Sequence, residues 1–124
     1  MSVAAPAIPA TVPEMRRLVV SLAQRAGADE GVLQEVARAV TEAVTNSVVH
    51  AYAPGAPGLV HVVADIEGDA LEVLVIDHGG GFRPGESEGL GLGLSMIAAS
   101  TARFSISSRE PSGTEVWMRF LLAH

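Results

Sequence analysis

The sequence contains no cysteine and no lysine, and each absence excludes a class of chemistry. Without cysteine the chain can form no disulfide, no thiolate nucleophile and no cysteine-ligated zinc site. All eight basic residues are arginine. P-loop NTPases and conventional protein kinases both place a lysine on the nucleotide phosphates. If this chain binds ATP, it must neutralise the phosphates in another way.

Long apolar runs and an excess of positive charge are missing as well. No apolar run is long enough to cross a bilayer, and no basic segment leads into an apolar one as in a signal peptide. A net charge of −6 argues against a nucleic-acid-binding surface, which requires clustered basic residues. We therefore expect a cytoplasmic protein that contacts neither membrane nor nucleic acid directly.

The length and hydrophobic content of the sequence predict one compact domain. With 124 residues and a hydrophobic share of 48%, the chain can bury a sizeable core. Pro6 and Pro9 interrupt regular structure near the start, so residues 1–12 are predicted to form an N-terminal arm that could hold an edge strand. Residues 13–124 are predicted to form a single domain.

Residues 42–52 place three polar side chains on one face of a predicted helix. Glu42, Asn46 and His50 are spaced four residues apart, and apolar residues occupy the opposite face. Carboxylate and amide oxygens are ligands for hard cations, and a carboxylate or an imidazole can accept a proton. Taken alone, the stretch can also be interpreted as a solvated helix face.

Asp77 follows a strand that is apolar on both faces and therefore central in the predicted sheet, and glycines occupy positions 79–81. A carboxylate there can accept a hydrogen bond from an amino group such as that of adenine, while glycines permit close approach of a ligand. A plain glycine-rich turn is the alternative interpretation.

A second glycine run, residues 89–93, precedes a predicted helix that contains Ile97. The exposed N–H groups and the dipole at a helix start favour phosphate, although a spaced glycine run alone is weak evidence. A hairpin of residues 103–108 and 114–122 is predicted at the end. Its Trp117 is expected to pack against a helix or at a subunit contact.

In this order the motifs resemble the GHKL ATPase superfamily, whose members share the Bergerat fold, and within it the small anti-sigma-factor serine kinases of bacteria. Residues 42–52 resemble the N-box, residues 77–82 the Asp-x-Gly-x-Gly box, residues 89–97 the second glycine box and residues 113–114 the late Gly-Thr motif. The resemblance implies an α+β two-layer sandwich. About three helices would cover one face of a mixed, mainly antiparallel sheet.

The resemblance also implies roles for individual residues. Glu42 would be the catalytic base or orienting group, and Asn46 would bind the Mg²⁺ that bridges the ATP phosphates. His50 would line the phosphate side, although a structural histidine is an equally good interpretation of it. Asp77 would accept a hydrogen bond from the adenine amino group. The other nucleotide-binding residues that the resemblance implies are Gly79, Gly81, Phe82, Arg83, Gly91, Leu92, Gly93, Leu94 and Thr114.

The implied function is that of an ATP- and magnesium-dependent protein serine/threonine kinase that acts as an anti-sigma factor. Its partners would be a sigma factor and a STAS-type antagonist of the anti-sigma factor, which it would phosphorylate, and a homodimer is a further expectation. The connection between the glycine boxes is short and has Arg83 as its only positive charge, with Leu90 where the family often has a basic residue.

That short connection favours an alternative, an ATP-binding partner-switching module with little or no kinase activity. A detached catalytic domain of a histidine kinase is a third interpretation. It fits less well, because no phosphoacceptor helix accompanies the domain and His-Ala-Tyr at residues 50–52 matches the serine-kinase group better.

A titration with ATP and ADP, with and without magnesium, tests the implied site. We expect magnesium-dependent ATP binding by the wild type, measured by calorimetry, and loss of that binding in Asn46→Ala because the amide oxygen is the proposed metal ligand. If ATP binding did not depend on magnesium, or were unchanged in Asn46→Ala, the implied metal site would be contradicted and only the implied fold would stand.

Overall fold

The computed structural model describes residues 1–50, 58–79, 95–108 and 113–123. Its elements are β1 (Ser2–Pro6), α1 (Thr11–Arg25), α2 (Glu30–His50), β2 (Leu59–Glu67), β3 (Ala70–Asp77), β4 (Arg103–Ser108) and β5 (Thr114–Leu121). Residues 95–100 are also helical. The helical and strand patterns of the sequence predict two helices, a hairpin, a further helix and a final hairpin, and the structure confirms this order. Within these ranges no helix has the length and apolar character needed to span a membrane.

The five strands form one sheet in the order β1, β2, β3, β5, β4. All four pairings between described strands are antiparallel, so the described sheet contains no parallel pair. As its apolar sequence predicted, β3 is the central strand. In the N-terminal arm, β1 pairs with β2 as an edge strand, from Ser2 opposite Val63 to Pro6 opposite Leu59. The α+β layered fold is thus confirmed.

The core lies between the helices and one face of the sheet. An aspartate just before a helical pattern predicts an N-cap, and Asp29 has this role in α2: its Oδ1 accepts a hydrogen bond of 2.9 Å from the backbone N–H of Val32. The fully buried side chains that fill this layer include Val32, Val36, Val40, Val44, Val60, Val62, Val73, Ile97 and Met118.

The buried stripe of α1 differs from the expected one by a small rotation. The sequence predicts Leu18, Leu22 and Ala26 on the core side. In the structure Leu22 packs against the core only in part, and the fully buried apolar stripe consists of Met15, Val19 and Ala23. Leu18 is 36% exposed. Both stripes have four-residue spacing, so periodicity alone cannot choose between them. The choice depends on how α1 packs against α2 and the sheet.

Gly113, which precedes β5, lies against the end of β3. Its φ is +114°, and a Cβ atom there would collide with the carbonyl oxygen of Asp77 and lie 2.9 Å from the Cα of His78. A side chain would therefore be disfavoured by both the backbone conformation and the lack of space. Glycine at this position lets the start of β5 approach the end of β3.

Gly113→Ala should lower the free energy of unfolding by about 3 kcal/mol or more, because backbone strain and overpacking each cost about 1–3 kcal/mol. Gly27→Ala is the matched control. Gly27 also has a positive φ, of +95°, but an added Cβ would meet nothing within 4 Å. In urea denaturation we expect Gly27→Ala to lose only the free energy that corresponds to backbone strain. Equal losses in the two variants would contradict the close contact with Asp77.

Candidate functional site

The site is built around Asp77, the last residue of β3. This carboxylate is only 4% exposed. Its Oδ2 accepts a hydrogen bond of 3.1 Å from the hydroxyl of Ser47, and its Oδ1 accepts one of 3.1 Å from the backbone N–H of Gly79. A carboxylate has about four acceptor sites. Each oxygen therefore retains capacity for one more donor, such as the amino group of a bound ligand.

Ser47 is the residue of this site that sequence reasoning missed. The helical periodicity assigned it to the apolar, core-facing side of α2, and it is indeed buried at 4% exposure. Its hydroxyl, however, is used to hold Asp77 from across the layer. The available clue was a hydroxyl on an otherwise apolar face, since buried polar groups almost always have a partner.

The polar residues of α2 lie beside this contact. Asn46 immediately precedes Ser47, so its side chain is turned by about 100° around the helix axis, and it is half-buried. Glu42, also half-buried, lies one turn earlier, about 6 Å along the axis. The backbone of His50 belongs to the last turn of α2. Its side chain lies outside the part of the chain that the structure describes.

Glu42 lines an open groove of about 350 Å³ between α1, α2 and the helical residues 95–100. Met96 contributes the wall from that later helix. From α1, the Nη1 group of Arg16 reaches Thr41 Oγ1 at 3.4 Å. Glu42 therefore faces a space that solvent and another molecule can enter, in contrast to the buried Asp77.

The predicted adenine-side residues come together at the ends of β3 and β5. Thr114 is directly opposite Asp77 in the register of these strands, and Gly79 is buried next to the carboxylate that it contacts. The predicted residues that lie outside the described ranges are Gly81, Phe82, Arg83, Gly91, Leu92, Gly93 and Leu94. Ile97, which follows the second glycine run, is buried in the helix that the sequence predicted.

The residues present fit a magnesium ion that binds together with a nucleotide. Among the described residues, no group of three or more histidines, aspartates or glutamates is placed to hold a metal. Asn46 offers one hard amide oxygen at the edge of the site. Magnesium in phosphate-binding sites typically takes one or two protein ligands and completes its shell with phosphate oxygens and water.

Two buried serines allow the Ser47 contact to be tested. Ser47→Ala should lower the free energy of unfolding by about 1–3 kcal/mol, because Asp77 loses a donor, and should weaken ATP binding roughly tenfold. Ser100→Ala is the control: Ser100 is 2% exposed, and its hydroxyl has no hydrogen-bond partner among the described residues. It should change stability by less than about 0.5 kcal/mol. If Ser47→Ala and Ser100→Ala had equal effects on stability and on ATP binding, Ser47 would not be part of the site.

Comparisons with known proteins agree with this geometry. Two anti-sigma F factors are similar to the chain: that of Clostridium beijerinckii (31% identical over 97 residues, 68% of this chain and 67% of that protein) and that of Anoxybacillus flavithermus (29% over 96 residues, 68% and 66%). The chain thus spans about two thirds of these relatives.

Solved structures show the same fold. The RsbU and RsbW domains of Rv1364c from Mycobacterium tuberculosis match with a TM-score of 0.76 and 24% identity, over 98% of this chain and 32% of that one. The histidine kinase domain of the blue-light activated kinase of Erythrobacter litoralis matches with a TM-score of 0.65 and 21% identity, over 91% and 60%.

The family model for the histidine kinase-like ATPase domain matches residues 5–120, nearly the whole chain. Together with the similarity to anti-sigma F factors, this match confirms the predicted resemblance to GHKL proteins of the anti-sigma branch. This chain belongs to the family of histidine kinase-like ATPase domains.

Proposed function

We propose that this chain is an ATP-dependent protein serine/threonine kinase that acts as an anti-sigma factor. The observation that carries the proposal is the buried Asp77, held by Ser47 and Gly79 with acceptor capacity left over. The similarity to two anti-sigma F factors supports the choice of partners.

The adenine ring would bind at the ends of β3 and β5. Asp77 would accept from the exocyclic amino group, and Thr114, directly opposite in the register, would border the same pocket. Because Ser47 and Gly79 each hold one carboxylate oxygen, the carboxylate is oriented before the nucleotide arrives. Such preorganisation lowers the entropic cost of binding.

Phosphoryl transfer would take place along the exposed side of α2. Asn46 would provide an oxygen to the Mg²⁺ that neutralises charge on the phosphates, a role that suits a chain without lysine. Glu42 faces the open groove, where a hydroxyl of a protein substrate could approach. It would orient that hydroxyl and take its proton as the γ-phosphate is transferred.

The substrate hydroxyl would belong to a STAS-type antagonist, and the chain would also bind and sequester a cytoplasmic sigma factor. Phosphorylating the antagonist adds close to two negative charges at one residue. That change is large enough to alter which partner the kinase holds. A nucleotide-gated binding module without phosphoryl transfer is the competing function, favoured by the single positive charge between the glycine boxes.

Incubation with γ-labelled ATP, magnesium and the antagonist tests the proposal. We expect label on a serine or threonine of the antagonist. Glu42→Gln should lower kcat roughly 100-fold or more with ATP affinity preserved, because general-base catalysis contributes factors of that size. Asp77→Asn should instead abolish ATP binding, measured by calorimetry.

Glu30→Gln is the matched control, because Glu30 is an exposed glutamate in the first turn of the same helix. It should leave the rate unchanged. Binding of ATP without any labelled product would favour the partner-switching module. An acid-labile phosphohistidine product would instead indicate a histidine kinase, and undiminished transfer by Glu42→Gln would exclude Glu42 as the base.

A further inference from the structure

A cavity of about 220 Å³ lies at the end of the sheet that is remote from Asp77. The pairing of β3 with β5 runs from Asp77 opposite Thr114 at one end to Ala70 opposite Leu121 at the other, and Leu121 lines the cavity. At about 3.4 Å per residue, the two ends of this pairing are roughly 24 Å apart. The cavity is therefore separate from the candidate nucleotide site.

Three parts of the chain form the walls of this distal cavity. The first turns of α2 contribute Val32 and Glu35, residues 100–102 form the second wall, and the end of β5 contributes Phe120 and Leu121. Residues 100–102 connect the end of the helix that contains residues 95–100 to the start of β4. The cavity thus lies where two helices and one strand end or begin.

Trp117 takes no part in this cavity. Val116, Met118 and Phe120 belong to the core, so the alternate residue Trp117 points to the opposite face of the sheet. Of the two positions expected for Trp117, packing against a helix is therefore wrong.

Ser100 contributes an unsatisfied hydroxyl to the cavity wall. The residue is only 2% exposed, and its Oγ has no hydrogen-bond partner among the described residues. The next residue shows the usual alternative, because Thr101 Oγ1 donates a hydrogen bond of 2.8 Å to the carbonyl oxygen of Ile97. A buried hydroxyl without a partner is unfavourable. A polar atom of a bound ligand would supply the partner that Ser100 lacks.

The charge at the cavity favours a cation. Glu35 is half-buried, and its carboxylate has about four acceptor sites, so it can bind a ligand in addition to any other contact. The helix of residues 95–100 ends at the cavity, and the carbonyl groups in the last turn of a helix lack intrahelical donors. Among the described residues that line the cavity, none is basic.

The size and the apolar floor of the cavity limit the rest of the ligand. Val32 and Phe120 are almost completely buried, at 1% and 2% exposure, and offer an apolar contact surface. A cavity of about 150 Å³ accommodates a benzene ring, whereas drug-sized ligands occupy pockets of about 300–1,000 Å³. The ligand can therefore contain one ring or a comparable alkyl group with a short polar chain.

We propose that this cavity binds a small organic ammonium ion, whose apolar body is about the size of a benzene ring. An ammonium group has three N–H donors. They would bind the carboxylate of Glu35, the Oγ of Ser100 and a carbonyl oxygen at the helix end, while the apolar body packs against Val32 and Phe120. Neither ATP nor phosphoryl transfer enters this argument, so the proposal does not rest on the proposed function.

Titration with 2-phenylethylamine, followed in ¹H–¹⁵N NMR correlation spectra, tests the proposal. We expect saturable shifts of the backbone amides of Val32, Glu35 and residues 100–102, with a dissociation constant of about 1 mM, as is usual for so small a ligand. The amide of Gly79 should not shift. The neutral analogue 2-phenylethanol should bind roughly tenfold more weakly, because a charged hydrogen bond contributes about that factor. The anion phenylacetate should not bind.

Glu35→Gln should lower the affinity for the amine roughly tenfold and leave that for the alcohol unchanged, because the variant removes the charge and keeps the shape. Ser100→Ala should weaken binding of the amine about fivefold through the lost acceptor. Glu30→Gln is the matched control, since Glu30 is an exposed glutamate of the same helix and does not line the cavity. It should bind the amine like the wild type.

Ala102→Trp blocks the cavity without a change in the core, because Ala102 lines it from an exposed position. This variant should bind neither the amine nor the alcohol, and circular dichroism verifies that each variant is folded. Three results would each overturn the proposal: no saturable shift up to tens of millimolar amine, shifts centred on Gly79, or equal binding of the amine by Glu35→Gln and the wild type. Binding of phenylacetate as tight as that of the amine would overturn the assignment to a cation.

Discussion

The buried carboxylate of Asp77 is the constraint on which the arrangement of this domain depends. A carboxylate removed from water costs several kcal/mol unless donors surround it, and here the donors come from two directions. Ser47 donates from α2, and the backbone of Gly79 donates from just beyond β3. Gly113 allows β5 to close against the same strand end. The side chain of Asp77 thus joins the helix layer to β3, and the start of β5 closes against the backbone of the same residue.

The packing of α2 links the stability of the fold to the geometry of the site. Its apolar face, which includes Val40 and Val44, is fully buried against the sheet, and Ser47 continues that face as far as Asp77. Asn46 and Glu42 emerge at its edge as a consequence of the same helix rotation. A change that rotated α2 would therefore misplace Asn46 and Glu42 and at the same time break the hydrogen bond between Ser47 and Asp77. The packing of the core therefore sets the orientation of the site residues on α2.

The two faces of the sheet carry different kinds of residues. The inner face builds the core and ends at the nucleotide side, while the outer face presents Trp117 and a row of charges in register. Membership of the histidine kinase-like ATPase family accounts for the first of these faces. On the outer face the register places Glu72 of β3 opposite Arg119 of β5.

Local patterns in the sequence determined the order of helices and strands, the central position of β3, the Asp29 cap and the shared face of Glu42 and Asn46. Each of these depends on residues close together in the chain, where periodicity and capping chemistry are informative. The tertiary structure alone decided which stripe of α1 is buried, that Trp117 faces outward, and that Ser47 holds a carboxylate 30 residues away. Periodicity shows which residues share a face, but what that face meets depends on the packing of distant elements.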